Sequence, residues 1–336
     1  MSADPVNGVL VEARVIPFPA SISAHARGFM ASLVGADGVP LMVGQAPPAA
    51  DDAAGWAAAK AMTAAMIAQF MAPALAASTS TVETVELGGA VVHVATPRDP
   101  GPDDRAYIDL HGGGLVHGGG EPCRIGALLA ADRHRVRSYA VDYRMPPEHP
   151  YPAALEDCLA VYRALLERYA PENIIVGGGS AGSNLAAALA LRARDEGLPL
   201  PAALVLLTPE LDLTESGDTF ETNRRIDVIL TGPLMSTNLL YAAGHDLADP
   251  YLSPLFGDFT KGFPPTFLQA GTRDLFLSNA ARMHRSLRRA GVSVELHVFE
   301  GMPHGGFAGA PEDLEMHAEV NRFVAEHWGK ARQAIA

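Results

Sequence analysis

The chain has 336 residues, of which 48% are apolar and 19% charged, and a formal net charge of −13 with histidine neutral. Such a chain is long enough to bury a large core and has the composition of a folded globule, which excludes general disorder. The negative charge, unrelieved by any Lys/Arg cluster, opposes the approach of polyanions and excludes nucleic acid or an acidic membrane surface as the main partner.

The N-terminal stretch lacks a basic segment followed by an apolar run, so no secretory signal is read there and a cytoplasmic location is expected. Residues 1–78 pattern as helix without strand, with one helix around 22–34 and another over 56–71. The tract 56–77 is strongly apolar but interrupted by Lys60, Gln69 and Pro73. Met62, Met66, Ile67, Phe70 and Met71 recur at helical spacing and make one sticky face, not a membrane span. From Val82 the texture changes: VETVEL, AVVHVA, AYIDL, RSYAVDY, NIIVGGG, AALVLL, TFLQA and SVELHVF are short apolar or alternating runs. From the third run onward most are followed by a helical pattern, including 180–195, 278–290 and a closing helix from Pro311. This alternation predicts an α/β domain over 79–336 with a mostly parallel sheet covered on both faces. Residues 209–260 break the rhythm and, with 1–78, are expected to form a helical cap over the C-terminal ends of the strands.

The chemistry centres on Ser180. NIIV runs through Gly178-Gly179-Ser180-Ala181-Gly182 into a helical pattern, so the serine stands on a strand-to-helix turn, displayed at a helix N-terminus that favours developing negative charge. The same segment matches GxGxxG at Gly177, Gly179 and Gly182. A dinucleotide loop would open the first strand and require an acid at the end of the next, whereas this turn lies mid-chain and the next strand ends in Thr208-Pro209. A serine nucleophile needs an imidazole, and the imidazole a carboxylate to hold its tautomer. Asp274, just after TFLQA, and His304, just after SVELHVF, stand at successive strand ends in the order serine, acid, histidine, and this selects them from the chain's 12 histidines and 38 acids. Glu300 is the nearest rival acid. His111-Gly112-Gly113-Gly114 after AYIDL supplies unobstructed N–H groups for an oxyanion hole. The second tetrad, 117–120, reads as a flexible turn. Cys123 and Cys158 fall in no zinc-like spacing and read as small buried apolar residues with no disulfide. No metal or organic cofactor is required.

Together HGGG at 111–114, DYRMPPEHPYPAALED at 142–157, GGSAGSNLA at 178–186 and the Asp274 and His304 segments resemble the hormone-sensitive-lipase group of α/β-hydrolases, over residues 82 to the end. The resemblance implies an eight-stranded sheet with a helical cap and a carboxylesterase acting on a small-molecule ester. It also implies a Ser180–His304–Asp274 triad and an oxyanion hole from the N–H groups of Gly112, Gly113 and Ala181. Asp142, Arg144 and Glu148 are then scaffold residues, and a homodimer through the last strand and helix is consistent with the family. Gly179 stands where the family commonly has Asp or Thr, Ser183 where glycine is common, and Leu115 where an aromatic is frequent. A lactone or amide hydrolase with the same triad would fit the motifs as well; a non-catalytic receptor on the same fold is a more distant alternative, favoured by loss of the histidine, whereas His304 is present.

Overall fold

Period-2 alternation in the strands divides the core into two layers. The computed structural model describes residues 8–44, 47–102 and 104–329. Along the chain these form α1 (Ala24–Ser32), α2 (Ala53–Ala77), β1 (Thr81–Leu87), β2 (Ala90–Thr96), β3 (Ala106–Leu110), α3 (Glu121–His134), β4 (Arg137–Asp142) and α4 (Ala153–Leu166). Then come β5 (Ile174–Gly179), α5 (Ala181–Asp195), β6 (Ala203–Leu207), α6 (Thr219–Thr222), α7 (Met235–Ala242), β7 (Thr266–Gly271), α8 (Leu277–Arg289), β8 (Val294–Phe299) and α9 (Pro311–His327). The eight strands make one sheet in the order β1-β2-β4-β3-β5-β6-β7-β8. β1 and β2, and β2 and β4, pair antiparallel, and every other neighbouring pair is parallel.

Ile108, Leu110, Val176, Leu204, Leu206 and Leu268 point to the face covered by α4, α5 and α8. Their neighbours Tyr107, Ile175, Ala203, Val205 and Phe267 point to the other face, where Ala130 of α3 and Met316, Val320, Phe323 and Val324 of α9 receive them. Both faces are buried, so the central strands carry apolar residues throughout, and each fully buried Leu or Phe contributes about 1.5–3 kcal/mol.

The N-terminal helices match the sequence expectation, although α2 continues through Pro73 to Ala77. Ile22, just before α1, and Ala26 and Met30 of α1 pack against Met302, Phe307 and Ala310 in the segment after β8, and against Val228. α2 lies on α3. Its Met62, Met66 and Phe70 are exposed at 68%, 53% and 59%, so this face looks outward instead of lining a pocket. No helix among the described residues is long and apolar enough to cross a membrane.

Candidate active site

Ser180 sits between β5 and α5 with φ 56° and ψ −121°, a region sparsely populated by residues with a side chain. The surroundings fix it there. Its N–H donates to Leu207 O at 2.8 Å, and its carbonyl accepts from the N–H groups of Ser183 at 3.0 Å and Glu210 at 3.3 Å. A Cβ on Gly182 would stand 1.8 Å from Leu110 O, so α5 can approach β3 this closely only with glycine at that position. Ser183, where a glycine is common, is fully buried, and its hydroxyl donates to Gly178 O at 2.7 Å. Of the glycines in the GxGxxG match, Gly177 and Gly182 are thus used for close packing, whereas a Cβ on Gly179 would meet nothing within 4 Å.

Gly112 abuts that elbow: a Cβ there would lie 3.4 Å from Ser180 Cβ and 3.0 Å from Gly179 O. The N–H groups of Gly112, Gly113 and Ala181 donate to no backbone or side-chain acceptor among the described residues; Ala181 follows the serine and Gly112 abuts it. The loop is held from behind. The His111 ring stacks on Tyr143 at 4.0 Å and 7°, and Tyr143 Oη donates to His111 O at 2.7 Å. The second tetrad is a packed turn, not a flexible one. A Cβ on Gly118 would meet Gly112 O at 2.3 Å, and Gly120 N–H donates to both oxygens of Asp142 at 3.1 Å.

Asp274 and His304, from the loops after β7 and β8, meet. His304 Nδ1 donates to Asp274 Oδ1 at 3.1 Å, which leaves Nε2 as the basic nitrogen; Asp274 is fully buried. Phe276 N–H donates to the same oxygen at 2.9 Å, and the Phe276 ring stands edge-on to His304 at 5.0 Å. Glu300 takes no part in this pair. Burial alone would depress the His304 pKa, but Asp274, Asp227 and Glu210 together raise it above its ordinary value.

Two of those carboxylates were not singled out from the sequence, where 209–260 reads only as cap. Asp227 is fully buried, and its Oδ2 accepts from Leu275 N–H at 2.9 Å and from His304 N–H at 3.2 Å. It therefore ties the acid loop to the histidine loop. Burial first, and then the Asp274 charge, push it up to about 6. Glu210 follows β6; it is buried, its Oε2 has no hydrogen-bond partner, and burial raises it to about 7. An acid set between Ile226 and Val228 was the available sign for Asp227. Among the expected scaffold residues, Asp142 holds Gly120, and Arg144 pairs with the buried Asp157 at 2.8 Å. Glu148 is half exposed and reaches only Lys60 of α2, at 2.6 Å, so it ties a surface helix and not the core.

A strained serine elbow at a strand-to-helix turn, with an aspartate-held histidine on later strand ends of an eight-stranded sheet, defines an α/β-hydrolase. A family model described as alpha/beta hydrolase fold matches residues 107–308. An esterase of Acinetobacter venetianus is 34% identical over 196 residues, 57% of this chain and 64% of that protein. An acetyl-hydrolase of Streptomyces hygroscopicus is 36% identical over 204 residues, 60% of this chain and 68% of that one. The chain thus spans just under two thirds of the first relative's length and just over two thirds of the second's. The crystal structure of an esterase superposes with a TM-score of 0.84 at 34% identity, covering 96% of this chain and 99% of that one. An esterase from the bacterial hormone-sensitive lipase family does so with 0.76 at 29%, covering 91% and 99%. The chain belongs to the hormone-sensitive-lipase-like family of α/β-hydrolases.

Proposed function

We propose that the protein hydrolyses carboxylic esters through an acyl-enzyme on Ser180. The observations that support this reading are the buried His304–Asp274 hydrogen bond at the strand ends and the strained serine at the β5–α5 turn. Ser180 Oγ attacks the ester carbonyl carbon as its proton passes to His304 Nε2, and Asp274 steadies the imidazolium that forms. The N–H groups of Gly112, Gly113 and Ala181 hold the oxyanion. Collapse breaks the bond to the alcohol, which leaves with the proton from His304. Water, deprotonated by the same nitrogen, then releases the carboxylic acid and restores the serine.

The substrate's apolar part is assigned to a cavity of about 850 Å³ lined by Pro48, Trp56, Pro147, Pro150, Leu239 and Leu240. Its lining residue Trp56 stands 6.0 Å from His117 of the second tetrad, and Thr237, next to the lining residue Ser236 on α7, faces Gly114. Its proline, tryptophan and leucine walls suit short- to medium-chain acyl groups or small aryl alcohols, and α1, α2 and α7 act as the cap. A serine-directed organophosphate should add to Ser180, located by mass spectrometry, and Ser180→Ala should lose at least ~10³ of the wild-type kcat on a short-chain aryl ester. An unlabelled Ser180, or a Ser180→Ala variant with full activity, would overturn the reading.

A further inference from the structure

Two imidazoles, the half-buried His111 of the glycine loop and the buried His93, each have a ring nitrogen that is not hydrogen-bonded. His111 Nδ1 lies 2.9 Å from Gly112 O; a carbonyl only accepts, so the proton is on Nδ1. Burial holds the ring neutral by lowering its pKa, and Nε2 is left as a bare lone pair that no donor reaches. His93 of β2 is 6% exposed, with Nδ1 bonded to Thr84 Oγ1 at 2.9 Å. Its Nε2 stands 3.4 Å from Asp142 Oδ2 without making a hydrogen bond. The first turn of α3 adds Cys123, a free thiol that is 1% exposed. Ligand atoms of His111, Cys123 and Asp142 lie within 4.8 Å of one another.

We propose that His93, His111, Cys123 and Asp142 form a binding site for a zinc-class divalent cation. Two imidazole nitrogens, a thiolate and a carboxylate oxygen are a donor set that suits tetrahedral zinc, whose ligand atoms stand about 3.4–3.7 Å apart. Side-chain shifts of about 1 Å would bring His111, Cys123 and Asp142 to that geometry, and His93, whose Nε2 is 3.4 Å from Asp142 but which lies outside that cluster, would move farther. The outer contacts that orient such ligands are in place: Thr84 on His93, Gly112 O on His111, and Gly120 N–H on Asp142. On binding, the metal–sulfur bond forms as the Cys123 thiol gives its proton to solvent. The ligands come from β2, β4, α3 and the loop after β3, so they are distant in sequence, and no motif spacing reveals them. A bound cation would tie the base of the glycine loop to three elements of the scaffold.

The test is cobalt titration of the chelator-treated full chain. One equivalent of Co²⁺ should give a sulfur-to-cobalt charge-transfer band in the near ultraviolet with visible bands of tetrahedral intensity, and Zn²⁺ should displace it. Cys123→Ser should lose the charge-transfer band, while Cys158→Ser should keep it. His93→Gln, which leaves the thiol in place, should weaken cobalt binding by at least about tenfold. Absence of the band in the wild-type protein, its persistence in Cys123→Ser, or its loss in Cys158→Ser would overturn the proposal. Unchanged affinity in His93→Gln would remove His93 from the site.

Discussion

At the scale of single residues, the histidine is governed by three carboxylates of unequal role. Their combined field raises its pKa, and the neutral imidazole that the proposed mechanism uses as a base is populated only above that pKa. The acid limb of kcat/KM against pH is therefore expected to inflect above about 6.5, the ordinary histidine value. Asp227→Asn removes one of those charges and one anchor of the His304 backbone. It should lower kcat by about 10–100-fold through misplacement of the ring and move the acid limb to lower pH, both readable in one pH series on an aryl ester. Glu210 gives a stability signature. Its carboxyl pKa is raised from 4.5 to about 7, so the folded state holds that proton more tightly than the unfolded chain, and the cost of ionising it in place accumulates as pH climbs through that window. Glu210→Gln should therefore raise Tm by about a few degrees at pH 8 and much less at pH 5 in paired thermal melts. Gly179 is the elbow glycine with room to spare, because a Cβ there meets nothing within 4 Å and its φ is not positive. Gly179→Thr should fold with wild-type stability, whereas Gly182→Ala, aimed at Leu110 O, should not.

At the scale of elements, the block DYRMPPEHPYPAALED works as a bracket between β4 and α4. Asp157 in the first turns of α4 accepts from the Arg144 backbone N–H at 2.9 Å and from its guanidinium, closing the connection on itself. Arg144 is half exposed, so the ion pair itself is weakened by solvent and the backbone bond matters more. Asp157→Ala should cost about 2 kcal/mol in urea unfolding, with KM little changed. The strands and the elbow were legible in the sequence because period-2 alternation and the strand–glycine–serine–helix order depend on neighbours along the chain. The histidine and acid were legible because chain order fixes which strand ends carry them. Asp227 and Glu210 were not, because their meaning lies in what folds over them, and a carboxylate in a Pro- and Asp-rich stretch looks solvated until its burial is known. Cys123 and Cys158 are legible as small buried residues, and both are buried free thiols; that His111 and Asp142 lie near Cys123 is not legible, because the sheet brings them together.

At the scale of the whole molecule, the N-terminal segment buttresses the end of the chain. Met30 is fully buried against the loop that carries the histidine, so Met30→Ala should destabilise the protein by about 2–5 kcal/mol. It should also lower kcat more than KM changes, since the loop it supports holds the base; chemical denaturation and steady-state kinetics on the same sample check both. The seam is polar as well as apolar. Ser23 donates from its N–H at 2.6 Å and from its hydroxyl at 3.0 Å to Glu312 of α9, and Arg273 in the acid loop donates to Pro17 O at 2.5 Å. During synthesis this arrangement sets a schedule. The segment around α1 emerges from the ribosome before the sheet and must wait, with Ile22, Ala26 and Met30 uncovered, until residues 299–312 follow. A nascent chain released before residue 304 would therefore display a finished elbow without its histidine.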